Sequence, residues 1–228
     1  NNGTCTSTDS HSHGTVVTGF GSGNGRANGR FKGMAPASDI IVVESNFSAP
    51  NWTLTIADAC DYIFKVADTL GKPAVVNLSL GTYFGSHDGN DPASEAMETM
   101  LDAQSGRIIV AAAGNSGLSG KTHVHNIVTT DTSFCWFLNN PSGNLGANTI
   151  YFDLWSDLSD ATFDFGFAAD KPAPDYELRG MTNFYNATAL AGSVIHDTIW
   201  NNGNQIATIQ SYPSIVGSNY NLQVLFTQ

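Results

Sequence analysis

Positive charge is scarce in this chain of 228 residues. It holds 9 lysines and arginines against 20 aspartates and glutamates, which gives a formal net charge of −11 at pH 7. Such an excess of acidic groups repels the phosphates of nucleic acids and of anionic lipids. The composition therefore argues against nucleic acid and membrane surfaces as partners. A sparsely charged, acidic chain of this kind is typical of secreted proteins, so we expect an extracellular location.

Long apolar runs and closely spaced cysteines are missing as well. The longest apolar runs, such as 108–113, are far too short to span a bilayer. The three cysteines, Cys5, Cys60 and Cys135, show neither metal-binding nor redox spacing. Cys60 is expected to be a small buried hydrophobe. Neither an initiator methionine nor a signal peptide opens the chain, so we expect a mature or excised piece of a longer protein.

Strand-like and helix-like segments alternate before about residue 126. Helical faces recur over 55–70 and 92–104. The apolar stripe of the first helix consists of Ile56, Cys60, Ile63, Ala67 and Leu70. The apolar segments of strand length are 39–44, 74–80 and 108–113. Buried strands separated by helices predict an α/β domain over 1–126, with a parallel sheet covered on both sides.

The hydrophobic pattern changes to a period of two after Ile127. The segments that alternate in this way are 150–155, 163–167 and 222–226. A hairpin is predicted from 195–200 and 205–210, around the polar turn 201–204. Short alternating strands of this kind predict a second, all-β domain over 127–228, built as a β-sandwich or jelly roll.

Four short motifs carry the chemistry of the first half. A histidine opens the segment His13-Gly14-Thr15-Val16-Val17-Thr18-Gly19, and Gly33-Met34-Ala35-Pro36 follows it. The strand Val76-Asn77-Leu78-Ser79-Leu80-Gly81 comes next, and the strand 108–113 then runs into a small-residue turn that presents Asn115. In this order the four blocks resemble those of subtilisin-like serine proteases, the subtilases or peptidase family S8. The second half is similar to the β-sandwich or jelly-roll insertion of clostridial germination proteases. The loop Gly85-Ser86-His87-Asp88-Gly89 resembles the His-Asp-Gly loop of the same proteases.

The resemblance implies a secreted serine endopeptidase that hydrolyses peptide bonds with a Ser-His-Asp triad. On this interpretation His13 is the general base, and the amide of Asn115 stabilises the oxyanion of the tetrahedral intermediate. The residues Ser79, Leu80 and Gly81 would pair with an extended polypeptide substrate as an added β-strand.

Two elements of that family have no match here. Nothing in the sequence fits the serine block, and only 12 residues precede His13, where the aspartate block is expected tens of residues upstream. We therefore predict that this segment is inactive by itself. The alternatives are a pseudoprotease, and a protein- or carbohydrate-binding module. In the latter, Trp136, Tyr151, Trp155 and Trp200 would form a sugar-binding platform, although sandwich cores use aromatic residues in the same way.

No cofactor is expected. Calcium is an alternative at Asp88, Asn90 and Asp91, although this pattern is also ordinary loop and N-cap chemistry. His123 and His125 would lie on one side of an extended segment, as zinc ligands do, but no third ligand accompanies them.

Overall fold

The computed structural model describes residues 12–27, 29–115, 124–129, 131–137 and 149–228. The described residues form two compact units: the first lies within 1–81 and 93–115, and the second within 82–92 and 116–228. The first unit contains α1 (His13–Ser22), α2 (Trp52–Thr69), β1 (Ala74–Leu78), most of α3 (Pro92–Asp102) and β2 (Arg107–Ala111). A partial α/β unit followed by antiparallel strands is the predicted fold class, which the structure confirms. No helix of the described residues is long and apolar enough to cross a membrane.

The strands of the second unit follow in chain order. They are β3 (Thr149–Asp157), β4 (Asp164–Phe165), β5 (Ala168–Asp170), β6 (Leu178–Met181), β7 (Tyr185–Asn186), β8 (Ile195–Asn201), β9 (Asn204–Val216) and β10 (Asn219–Thr227). A short 3-10 helix, Leu158–Asp160, follows β3.

The sheet of the first unit is parallel, as predicted. β1 and β2 pair in register from Ala74 opposite Arg107 to Leu78 opposite Ala111. Helices α2 and α3 contribute side chains to the core on one face of this sheet. The fully buried members of that core are Cys60, Phe64 and Val76. Ile63, Ala74, Leu78, Met97, Met100, Leu101 and Ile109 pack around them.

Helix α2 confirms the predicted helical face with one correction. Ile56, Cys60 and Ala67 are buried, and Cys60 is the small buried hydrophobe that its position predicts. Leu70 is 54% exposed, contrary to prediction, because the helix ends at Thr69 and Leu70 is already its C-cap. Gly71 then adopts a φ of 63°, a left-handed conformation that glycine takes without steric cost and that commonly ends helices.

Two further expectations for the first unit are wrong in the described residues. The sheet is covered on one face only, because Val75, Ile108 and Val110 on its other face are 66%, 53% and 50% exposed. The segment 39–44 forms no strand. It has no strand beside it with which to share hydrogen bonds, since the described parallel sheet contains only β1 and β2.

The second unit is organised by a four-stranded antiparallel sheet in the order β3-β10-β9-β8. The predicted period of two is confirmed in β10 and at Ile150 and Phe152 of β3, whose side chains enter the core. Leu154, the next residue of that pattern, is 43% exposed. The buried core consists of Ala161, Phe165, Ala187, Ile199, Ile209, Tyr220, Leu222, Val224 and Phe226. Two pairs of short strands, β4 with β7 and β5 with β6, replace the single strand expected over 163–167.

The predicted hairpin is present, with a tighter turn than the four residues expected. Asn201 pairs with Asn204, so Asn202 and Gly203 alone connect β8 to β9. Both have positive φ, 50° and 81°, as a two-residue turn matched to the twist of the strands requires.

The segment 82–92 belongs to the second compact unit, although the sequence pattern predicts it within the first domain. The contacts with β3 and β10 that account for this join Phe84 to Tyr151, Gly85 to Asp153 and Asn90 to Asn219. The predicted domain boundary near 126 remains a prediction, since the residues around it are described only in short pieces.

Candidate active site

The predicted general base lies at the first residue of helix α1. Ser12 precedes it in a left-handed conformation with a φ of 58°, and turns the chain into the helix. The imidazole of His13 is exposed, and its Nε2 lies 3.0 Å from the carbonyl oxygen of Ser79. Because a carbonyl oxygen only accepts hydrogen bonds, Nε2 carries the proton in this contact. The structure therefore brings together two of the segments predicted to form the site.

The predicted substrate-pairing residues follow directly after β1. The strand ends at Leu78, earlier than predicted, and Ser79, Leu80 and Gly81 follow it without regular secondary structure. Within the described part of the chain, the backbone N–H groups of Leu80 and Gly81 donate no hydrogen bond. They are therefore available to pair with a backbone of another molecule.

The predicted oxyanion donor follows the neighbouring strand. Asn115 comes after β2 and Gly114, whose φ of 89° turns the chain. Because Leu78 is opposite Ala111 in a parallel sheet, both strands end at the same edge. The Ala112 N–H donates to the Leu78 oxygen at 3.0 Å, so the two chains remain together one residue further. Ser79 and Asn115 thus both extend from the carboxyl edge of the sheet, and both the Asn115 side chain and His13 are exposed.

This arrangement defines what the histidine can do chemically. Nε2 of His13 now donates to Ser79, so it can accept a proton only after the ring releases that oxygen and carries its proton on Nδ1. A base that takes the proton of an attacking hydroxyl must present Nε2 without a proton. A hydrogen-bond acceptor beside Nδ1 would favour this tautomer, because it holds the ring proton on Nδ1.

The sequence pattern did not indicate a role for Asn77. Its amide Nδ2 donates to the Ser79 hydroxyl at 2.9 Å. This hydrogen bond fixes the side chain of Ser79 directly after the end of β1. The sequence could have indicated this contact, because residues two positions apart, such as Asn77 and Ser79, have their side chains on the same side of a strand.

The loop proposed as an alternative calcium site uses its oxygens internally. Asp88 accepts the backbone N–H of Asn90 and its side-chain amide, each at 3.0 Å. Among the described residues no three His, Cys, Asp or Glu side chains are grouped as metal ligands. The calcium hypothesis remains a prediction. The alternative zinc pair of His123 and His125 includes a residue, His123, that lies outside the described residues.

Comparison with family models gives a match that spans the site. The model of the subtilase family, peptidase S8, matches residues 1–140, which include His13, Ser79 and Asn115. The chain belongs to the subtilase family. Among curated proteins, none matches this subtilase chain.

A solved structure supports the fold of this subtilase along nearly the whole chain. The CspB protease of Clostridium perfringens is similar with a TM-score of 0.53 and 20% sequence identity, over 96% of this chain. The similarity extends through both compact units. This subtilase spans 43% of the length of that protease.

Proposed function

We propose that this chain is part of a secreted serine endopeptidase that hydrolyses peptide bonds with a Ser-His-Asp triad. His13 acts as the general base, the amide of Asn115 donates to the oxyanion, and Ser79–Gly81 pairs with the substrate. The serine and the aspartate are supplied by parts of the protein outside these 228 residues, so the isolated chain is inactive.

The contact between His13 and Ser79 carries this proposal. Its 3.0 Å distance joins a helix N-terminus to the end of a strand 66 residues later in the chain. A base held beside a segment with free backbone N–H groups can act on a peptide that pairs with that segment. Orientation of this kind accounts for a large part of enzymatic rate acceleration, because the reacting groups lose their translational and rotational entropy before the chemical step.

In the proposed reaction His13 takes the proton of the serine hydroxyl as its oxygen attacks the scissile carbonyl carbon. The carbonyl oxygen becomes negatively charged and accepts a hydrogen bond from Asn115. The tetrahedral intermediate collapses as His13 returns the proton to the leaving amine, and water repeats the sequence on the acyl-enzyme.

Fluorophosphonate labelling of the complete protein tests the proposal, because this reagent reacts with an activated serine. We expect labelling of the unaltered protein and a loss of at least ~10²-fold in its rate in His13→Ala. His196→Ala is the matched control, since His196 is an exposed histidine in the second unit. Absence of label on folded, processed protein would contradict the proposal and favour a pseudoprotease that binds a partner.

A further inference from the structure

Ser79 is the residue at which the candidate base and the end of the parallel sheet meet. Its carbonyl oxygen accepts Nε2 of His13 at 3.0 Å, and its hydroxyl accepts Nδ2 of Asn77 at 2.9 Å. All three residues belong to the first compact unit. A side chain of β1 is therefore connected to the candidate base through one intervening residue.

Asn77 is the one polar residue of strand β1. It lies on the exposed face of the parallel sheet, where Val75 precedes it on the same strand and Val110 is opposite it on β2. Both valines are at least half exposed, so the exposure of this face does not by itself require a polar side chain. Asparagine is depleted in strands, because its amide competes for backbone hydrogen bonds. Its bond to Ser79 gives a specific reason for an asparagine at this position.

The ladder of the parallel sheet holds Asn77 but not Ser79. The last contact between the two chains joins the Ala112 N–H to the Leu78 oxygen at 3.0 Å. Within the described residues, no backbone group of Ser79 is bonded to β2. The hydrogen bond between Asn77 and Ser79 closes a ring that includes the backbone of Leu78. Such a ring restricts rotation about the backbone bonds between the two side chains, and it ties the Cα of Ser79 to the ladder.

The position of the Ser79 backbone matters to two parts of the candidate site. Its carbonyl oxygen holds the imidazole of His13. It also begins the segment Ser79–Gly81, in which the N–H groups of Leu80 and Gly81 donate no hydrogen bond within the described residues. A segment that is already held in place loses less conformational entropy when a substrate binds, and a base that is held in place reacts faster.

We propose that Asn77 is a positioning residue of the candidate active site. Through the hydroxyl of Ser79, it holds the backbone at the point where the Ser79 oxygen meets His13 and where Ser79–Gly81 pairs with a peptide substrate. This inference rests on the proposed function. Because Asn77 acts through Ser79, the effects of altering the two residues are not independent.

A double-mutant cycle in the complete protein tests this dependence. We expect Asn77→Ala and Ser79→Ala each to lower kcat/KM for a peptide substrate by about three- to ten-fold, the effect of losing one hydrogen bond. The double variant should lose no more than Ser79→Ala alone, because the hydroxyl that Asn77 holds is already absent. Val75→Ala is the matched control, since Val75 is an exposed residue of the same strand and face, and it should leave kcat/KM unchanged.

Independent contributions would instead multiply the two losses, and that result, or an unchanged kcat/KM in Asn77→Ala, would overturn the proposal. Ser79→Thr keeps the hydroxyl, so adding Asn77→Ala to it should again cost about three- to ten-fold. A merely structural role of Asn77 in the sheet would give the same loss in the Ser79→Ala and Ser79→Thr backgrounds.

A second measurement follows the His13 ring in the 228-residue chain without catalysis. The NMR chemical shifts of the imidazole nitrogens at mildly alkaline pH report the fraction of rings that carry the proton on Nε2. Because the Ser79 oxygen accepts this proton, Asn77→Ala and Ser79→Ala should both lower that fraction, and Val75→Ala should not. An equal fraction in all variants would overturn the proposal. Absence of hydrolysis by the unaltered complete protein would contradict the proposed function, while the NMR result would still decide whether Asn77 positions Ser79.

Discussion

The two sheets of this protein differ in how much of their apolar surface is covered. In the four-stranded sheet, Tyr220, Leu222 and Val224 of β10 are at most 2% exposed. In the parallel sheet, Val76 is 4% exposed while its neighbour Val75, on the opposite face, is 66% exposed. Both sheets are rich in apolar residues, yet β10 of the antiparallel sheet buries all three that its pattern predicts, Leu222, Val224 and Phe226.

The difference follows from how each sheet acquires its neighbours. Strands β8, β9 and β10 are joined by short turns, so each finds its partner locally and the alternating pattern selects one core face. Parallel strands need crossover connections, and their continuous apolar sequence matches a sheet covered on both faces. The described residues of the first unit supply α2 and α3 to one face only.

The largest expected effect is the removal of a core side chain from the second unit. Leu222→Ala should lower the free energy of unfolding by about 2–5 kcal/mol, because the side chain is 2% exposed and leaves a cavity. Urea denaturation, with hydrogen exchange in β9 and β10 to report on this unit, measures the loss. Leu154→Ala is the control, since Leu154 is directly opposite in the ladder but 43% exposed. Equal losses would contradict the distribution of burial described here.

A second pair of variants tests whether the two faces of the parallel sheet differ. Val76→Thr places a hydroxyl in the buried core and should cost about 1–3 kcal/mol of unfolding free energy. Val75→Thr changes the exposed face and should alter it by no more than about 0.5 kcal/mol. A large loss from Val75→Thr would mean that this face is covered in solution. Urea denaturation followed by exchange in β1 and β2 distinguishes these results.

The smallest expected effect concerns a polar atom inside the better-covered core. The hydroxyl of Tyr220 is buried without a hydrogen-bond partner among the described residues, so Tyr220→Phe should raise the unfolding free energy by about 1 kcal/mol at pH 7. Burial raises the pKa of Tyr220 from 10.0 to about 12. The unfolded chain therefore loses the Tyr220 proton at lower pH than the folded chain does. As a result the free energy of unfolding falls as the pH rises from 10 to 12.

Thermal or urea unfolding at pH 7 and at several values above pH 10 measures both effects. The free energy of unfolding should fall less steeply with alkaline pH in Tyr220→Phe than in the unaltered protein. Parallel curves would show that Tyr220 ionises equally in both states, and would contradict the pKa shift.

Local patterns predicted much of the fold. The stripe of α2, the two parallel strands and the β8–β9 hairpin were all readable, since each depends on periodicity or turn residues within a few positions. The segment 39–44 has the same apolar character as β1 but forms no strand. Whether an apolar segment becomes a strand depends on a partner elsewhere in the chain, which periodicity does not reveal.

The candidate site divides in the same way. Its residue types were predicted from motifs, and the parallel arrangement of β1 and β2 was predicted from the alternation of strands and helices. The contact of His13 with Ser79 depends on residues 66 positions apart. A single sequence offers no local signal for such a distant pair.

The course of the chain between the two units limits how this protein can be altered. It leaves the first unit after Gly81, contributes eleven residues to the second, returns at Ala93, and leaves again after Asn115. The second unit is therefore not a module that a single cut detaches. Truncation after Asn115 would leave Phe84, Gly85 and Asn90 without Tyr151, Asp153 and Asn219. Any insertion, deletion or exchange of the C-terminal half, in the laboratory or in evolution, must carry a matching segment 82–92 with it.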